Sequence, residues 1–237
     1  MRSYAKLSAR TALTGNYIDP AASVIIMLLI TLSVVFLNQL VLFYFSRFSK
    51  LFLPLSVFVL LFTLSMLRYS LSAKLLGVCE NEKRSKKTTL KRRLSGGMLE
   101  LCLFFLRFFY LLVFLLPPAV LTFSVYLRVK ASDSSAASLA VNISGAALLL
   151  LMSLVFWGVS VQKFSKAVYY FAGNPSVSVL NAIKMSTAST QGSLMKIFRF
   201  KCSFLPWMAS GILLLPLMFV LPYYEESFIF YCMYSRK

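Results

Sequence analysis

The sequence predicts an all-α fold, a polytopic transmembrane helical bundle of about six spans, with five as the alternative. Three observations predict it. The 237 residues are 59% hydrophobic with a mean hydropathy of +0.79, whereas a soluble domain is about 45–50% apolar. The apolar residues are gathered into runs of the length that crosses a hydrocarbon core, about 20 residues of helix. The basic residues are gathered beside those runs. A small soluble domain cannot bury this much apolar surface around one core, so lipid supplies the rest of the apolar environment. The length suits one domain, residues 1–237, with a cytoplasmic basic loop at 68–100 and an interfacial amphipathic segment at 162–193.

The first span runs from Ala21 to Phe45. Asp19 is a suitable N-cap and Pro20 suits the first helical position. The run is too long for a signal peptide and lacks a small-residue cleavage site, so it reads as a retained span. Leu51–Leu67 forms the second span, with Pro54 in its first turn. Its apolar pattern fades through Arg68–Gly77 into the basic stretch Cys79–Arg93, which Gly96 and Gly97 punctuate before the third span. The third, Leu101–Leu127, contains Pro117 and Pro118, which should kink it. Arg107 sits near its cytoplasmic end, where it would snorkel to the headgroups. The fourth, Ala137–Val161, carries Ala140 and Ser144 at a spacing that lets another helix approach closely.

Asn174-Pro175 then reads as an N-cap and first helical position. Val177, Leu180 and Ile183 fall on one face of the short interfacial helix that should follow. The last apolar region, Leu194–Tyr234, is either one span or a hairpin of two broken near Gly211–Pro216. About 60 Å of helix would suffice for two crossings.

Charge decides the orientation. There are 25 Lys+Arg against 7 Asp+Glu, a formal net charge of +18. With six spans and the N-terminus inside, twenty of the basic residues fall in segments 1–19, 68–100, 162–201 and 235–237. The outer links 46–50 and 128–136 hold only Arg47, Lys50, Arg128 and Lys130. This asymmetry places both termini in the cytoplasm. It also accounts for the positive charge without nucleic acid, because the charge flanks apolar spans.

Two stretches carry a resemblance. One is Ala9-Arg10-Thr11-Ala12-Leu13-Thr14-Gly15-Asn16-Tyr17, just before the first span. The other is the ordered series Asn174-Pro175, Asn181-Ala182-Ile183-Lys184-Met185-Ser186, Met195-Lys196, Ser203-Phe204, Trp207 and Pro222-Tyr223. Their order resembles a family of uncharacterised bacterial multi-pass membrane proteins. That family is distantly similar to the membrane domain fused to some glycerophosphodiester phosphodiesterases. The likeness covers both ends of the chain and, in the middle, the pattern of spans. Here Met195-Lys196 is followed by Ile197 where the family has glycine. The resemblance implies fold and location and leaves the activity open. It does not import phosphodiesterase chemistry, which belongs to a separate barrel domain with acids and histidines.

Candidate chemistry is sparse. There is no histidine, and Cys79, Cys102, Cys202 and Cys232 are scattered without metal-ligand spacing. No metal, cofactor or catalytic residue is expected. Glu225 and Glu226 are the sharpest polar feature, a candidate intramembrane polar site, because a carboxylate in lipid is costly. Six spans place them near mid-membrane and five place them outside; pairing with a basic side chain is the blander role. Asn38, Gln39 and Asn142 are expected to hydrogen-bond between helices. Tyr169, Tyr170, Tyr223 and Tyr224 are expected in interfacial belts. Lys83, Arg84, Lys86, Lys87, Lys91, Arg92 and Arg93 read either as a solvated topology anchor or as a contact for anionic lipid. The expected partners are the bilayer with its anionic lipids and a membrane protein. The expected function is that of a non-enzymatic accessory or scaffold protein in the bacterial cell membrane, with a transporter or permease for a small solute or lipid as the alternative.

Overall fold

The computed structural model describes residues 2–14, 18–44, 49–79, 90–130, 136–209 and 217–234. Among them every regular element is helical: α1 Arg2–Leu13, α2 Ile18–Tyr44, α3 Ser49–Cys79, α4 Leu90–Lys130, α5 Ala136–Ser160, a 3-10 turn Val161–Phe164, α6 Ala167–Gly173, α7 Val179–Thr190, α8 Leu194–Cys202, α9 Leu205–Ala209 and α10 Leu217–Tyr234.

Four stretches are long and apolar enough to cross a membrane: Ile18–Leu37, Ser56–Gly77, Leu90–Leu127 and Ala140–Gly173. They match the first four expected spans. Their outer faces carry large exposed apolar side chains, such as Leu32 and Phe36 on α2, Phe109 and Leu116 on α4, and Leu148 and Leu151 on α5. A surface this apolar is anomalous for a soluble monomer. α10 is not among the four.

The two middle helices extend well beyond their expected ends. α3 continues through Arg68–Gly77 to Cys79, and α4 begins at Leu90. Most of the 68–100 segment expected as a loop is therefore helix. Pro54 lies in the second turn of α3 and not the first. Pro117 and Pro118 fall inside a single continuous α4.

Gly96 and Gly97 do not punctuate α4; they let it touch α3. A Cβ at Gly97 would meet Met66 Cγ at 2.5 Å, and one at Gly96 would run into the Tyr69 ring. By contrast Ala140 and Ser144, the small pair expected at a helix contact, are both exposed. α5 buries Ala146 and Ser153, and brings Gly158 against the Phe198 ring of α8.

The rest of the chain gathers at one end of this bundle. α1, unexpected as a helix, buries Ala5, Ala9 and Leu13 at four-residue spacing and packs chiefly on α10. Val24, Leu71, Leu75 and Ile229 form one buried cluster, with Leu28 and Leu221 against it. α10 therefore lies beside the early turns of α2 and the late turns of α3. A second cluster, Ala5, Ile197, Phe200, Phe204, Phe228 and Tyr231, joins α1, α8 and α10.

Residues 162–193 also belong to this assembly, and not to one surface helix. Phe164, Ala167, Val168, Phe171 and Ala182 pack with Tyr69, Leu99 and Leu103. Helix α7 starts at Val179, where the Ser178 side chain caps it by accepting from the Asn181 N–H. Asn174 instead closes a turn, its side-chain oxygen accepting from the Ser176 N–H at 3.4 Å and from the Ser176 hydroxyl at 3.0 Å. The expected N-cap thus lies four residues early, because the Asn side chain satisfies a local turn before the helix begins. The buried face of α7 is Ala182, Ser186 and Thr190, while Leu180 is exposed.

Candidate functional site

The polar centre of the molecule forms where five helices meet. α3 contributes Arg68 and Ser72, α4 contributes Glu100 and Arg107, α8 contributes Lys201, and α10 contributes Tyr224 and Glu225; Ser165 and Tyr169 come from the turn before α6 and from α6 itself. The Arg68 guanidinium stands between the two acids. Its Nε is 3.5 Å from Glu100 Oε1 and its Nη2 is 4.0 Å from Glu225 Oε1. The carboxylates are 5% and 8% exposed and the arginine side chain 49%. Glu225 also accepts a hydrogen bond from the Tyr169 hydroxyl.

Around this ion pair lie two further cations. Arg107 lines the same cavity, and its backbone carbonyl accepts from Trp157 Nε1 at 3.0 Å. Lys201 Nζ sits 4.5 Å from the centre of the Phe228 ring, a cation–π contact. Lys201 belongs to α8, outside the four long apolar stretches. Burial first, and the Arg107 charge second, push its amine down to about 7. The cavity they enclose is about 20 Å³, room for roughly one water molecule.

Glu225 and Glu226 do not act as a pair. Every residue from Glu225 to Ile229 is buried, so α10 is enclosed on all sides at this level. Adjacent residues on a helix diverge by about 100°, as 3.6 residues per turn requires. Glu225 points into the Arg68 cavity and the fully buried Glu226 points elsewhere.

Several other expected sites are relocated. Tyr169 binds a carboxylate inside the bundle instead of joining an interfacial belt. Tyr223 and Tyr224 pack edge-on to Phe204. Arg107 faces the polar cavity rather than reaching out to headgroups. Gln39 is exposed, Asn142 is half-buried, and the Asn38 side chain lies outside the described residues. Among the described residues, Cys102, Cys202 and Cys232 form no disulfide.

The basic cluster divides. Lys83, Arg84, Lys86 and Lys87 lie outside the described residues; Lys91 and Arg93 are exposed at the start of α4. Arg92 is turned inward. Its guanidinium donates to the carbonyls of Phe171, Asn174 and Pro175, the last two at 2.6 Å each, and lies 4.8 Å from the centre of the Phe171 ring. It caps the C-terminus of α6, where the last carbonyls lack helical partners. Comparisons with protein families, with curated proteins and with solved structures find no match to this chain.

Sequence reasoning missed Arg68, Glu100 and Lys201 as members of one site. The available signal was a charge set inside an apolar helix. Arg68 follows Met66-Leu67 and Glu100 lies between Leu99 and Leu101, which is how intramembrane ion pairs are marked. Which charges meet depends on helix rotation and on α10 folding back, and neither is written in local spacing.

Proposed function

We propose that this chain is a membrane-embedded, non-enzymatic accessory or scaffold protein of the bacterial cell membrane. The carrying observation is that its polar centre is filled by its own side chains. Arg68 is shared between Glu100 and Glu225, and the remaining space suits about one water molecule. A solute route needs a polar path wider than its cargo, and a catalytic centre needs room for substrate.

Four crossings suit the charge pattern as well as six. An even number returns α6–α8 to the side of α1, and the positive-inside rule makes that side the cytoplasm. α1 and α10 then cap the cytoplasmic end, with α10 reaching into the bundle only as far as Leu28 and Leu221 meet the Val24 cluster. Both termini remain cytoplasmic. The resemblance of the Asn174–Ser186 and Pro222-Tyr223 motifs to the bacterial multi-pass family supports the same location.

The test is reconstitution of the purified chain into proteoliposomes, with charge movement recorded on a solid-supported membrane during a panel of solute jumps. A scaffold gives currents equal to protein-free vesicles. A solute-dependent current that disappears in Glu225→Gln would establish a transporter instead.

A further inference from the structure

The polar centre holds more positive charge than negative. Of the residues lining its cavity, Arg68, Arg107 and Lys201 are cations, and Glu100 and Glu225 are the carboxylates. Both acids face Arg68, and Glu225 also accepts from the Tyr169 hydroxyl. Among the described residues neither Arg107 nor Lys201 forms an ion pair. The Lys201 ammonium has the Phe228 ring beside it. The Arg107 charge lowers the Lys201 amine more than any other charge does, so two like charges stand close together. Taking a cation out of water without a counter-ion is costly. Two hydroxyls line the same space. Ser72 is 3% exposed, and among the described residues neither its hydroxyl nor that of Tyr224 has a hydrogen-bond partner.

We propose that this cavity binds one chloride ion between Arg107 and Lys201, with the Ser72 and Tyr224 hydroxyls donating to it. Charge sets the sign of the occupant, because one negative charge balances three cations against two carboxylates. Volume sets its size. A cavity of about 20 Å³ takes about one water molecule, which suits a monatomic anion and leaves no room for phosphate, sulfate or a carboxylate. The ion joins α3, α4, α8 and α10 at the level of the Arg68 tie and strengthens it. It is an equilibrium occupant of the same polar centre, so its binding and the absence of solute currents can fail separately.

The experiment is thermal unfolding of the purified full chain in uncharged detergent, with chloride exchanged for gluconate at constant ionic strength. The pH is about 6, where the Lys201 amine, at about 7, carries its proton. Wild type melts at higher temperature as chloride rises, because a ligand of the folded state stabilises it. Bromide acts in the same way. Lys201→Met weakens the apparent chloride affinity about tenfold, the loss of one charge-assisted contact. Ser72→Ala, which removes one oxygen, also weakens it and keeps the proposal testable should the lysine variant misfold. Lys91→Gln, at an exposed cation, retains the wild-type response. Bromide in crystals of the wild-type chain gives an anomalous peak between Arg107 and Lys201. Equal melting of wild type in chloride and gluconate overturns the proposal. So does a chloride response that is unchanged in both Lys201→Met and Ser72→Ala, or a bromide peak that is missing from that position.

Discussion

Arg68 of α3 holds Glu100 of α4 at 3.5 Å, at the level where α10 passes alongside. The pair ties two long apolar helices together and leaves one face of the guanidinium for Glu225, 4.0 Å away. α3 and α4 approach closely at the same level because Gly96 and Gly97 present no side chain to Met66 and Tyr69. Small residues and an ion pair between a half-exposed arginine and a buried carboxylate thus act on one interface, the first by allowing backbone approach and the second by fixing rotation.

The glycine contact yields the first prediction. Gly97→Leu forces a side chain into Met66 and destabilises the bundle by about 1–3 kcal/mol, the usual penalty of overpacking. Thermal unfolding in detergent reads it. The double variant Gly97→Leu/Met66→Ala recovers part of the loss, because it removes the side chain that the leucine meets.

Arg92 is predicted to be structural. Arg92→Gln leaves the last carbonyls of α6 without their donor and costs about 1.5–3 kcal/mol, the range for hydrogen bonds to charged groups. Lys91→Gln, at an exposed position, changes stability by no more than about 0.5 kcal/mol. Equal losses for the two would show that charge near the surface, and not the cap, is what matters.

Lys201 gives a pH dependence with a defined sign. Its amine is near 7 in the folded chain and 10.5 when exposed, so between those values the unfolded state binds more protons. Stability must then rise as pH increases through that window and level off above it. Melting temperatures from pH 7 to 10 should rise more steeply for wild type than for Lys201→Met. Parallel curves would mean that the lysine is not desolvated.

Topology separates four crossings from six. Ser134→Cys, in the 131–135 link, should react with an impermeant thiol reagent from outside in both arrangements, once the native cysteines are replaced. Ala209→Cys, at the end of α9, reacts from outside only if the last region forms a transmembrane hairpin. Protection of Ala209→Cys in intact cells, with Ser134→Cys labelled, supports four crossings.

Much of the fold was legible because four helices are long and apolar enough to cross a membrane. A run of apolar residues such as Ala21–Tyr44 has few alternatives in a bilayer. The end assembly was not legible for the opposite reason. Ala5, Ala9 and Leu13 make a narrow stripe that means little until α10 supplies its other side. Asn174-Pro175 has the composition of a helix start, yet a side-chain turn satisfies Asn174 locally. Glu225 stood out as a charge in an apolar stretch, but its partner is 157 positions earlier, at Arg68. Nothing in either segment specifies the other.

The most direct test of the central claim, that the polar centre is a fixed tie between helices, is the unfolding stability of a neutralisation series in lipid nanodiscs. Arg68→Met alone takes the cation from between two buried carboxylates, leaving them Arg107 and Lys201, and is predicted to cost about 1.5–3 kcal/mol, the range for hydrogen bonds to charged groups. The double variant Arg68→Met/Glu100→Gln removes one cation and one carboxylate together and is predicted to recover part of that loss, because Glu225 keeps Arg107 and Lys201 beside it in the cavity. A loss below about 0.5 kcal/mol for Arg68→Met, the level of an inconsequential surface change, would contradict the account.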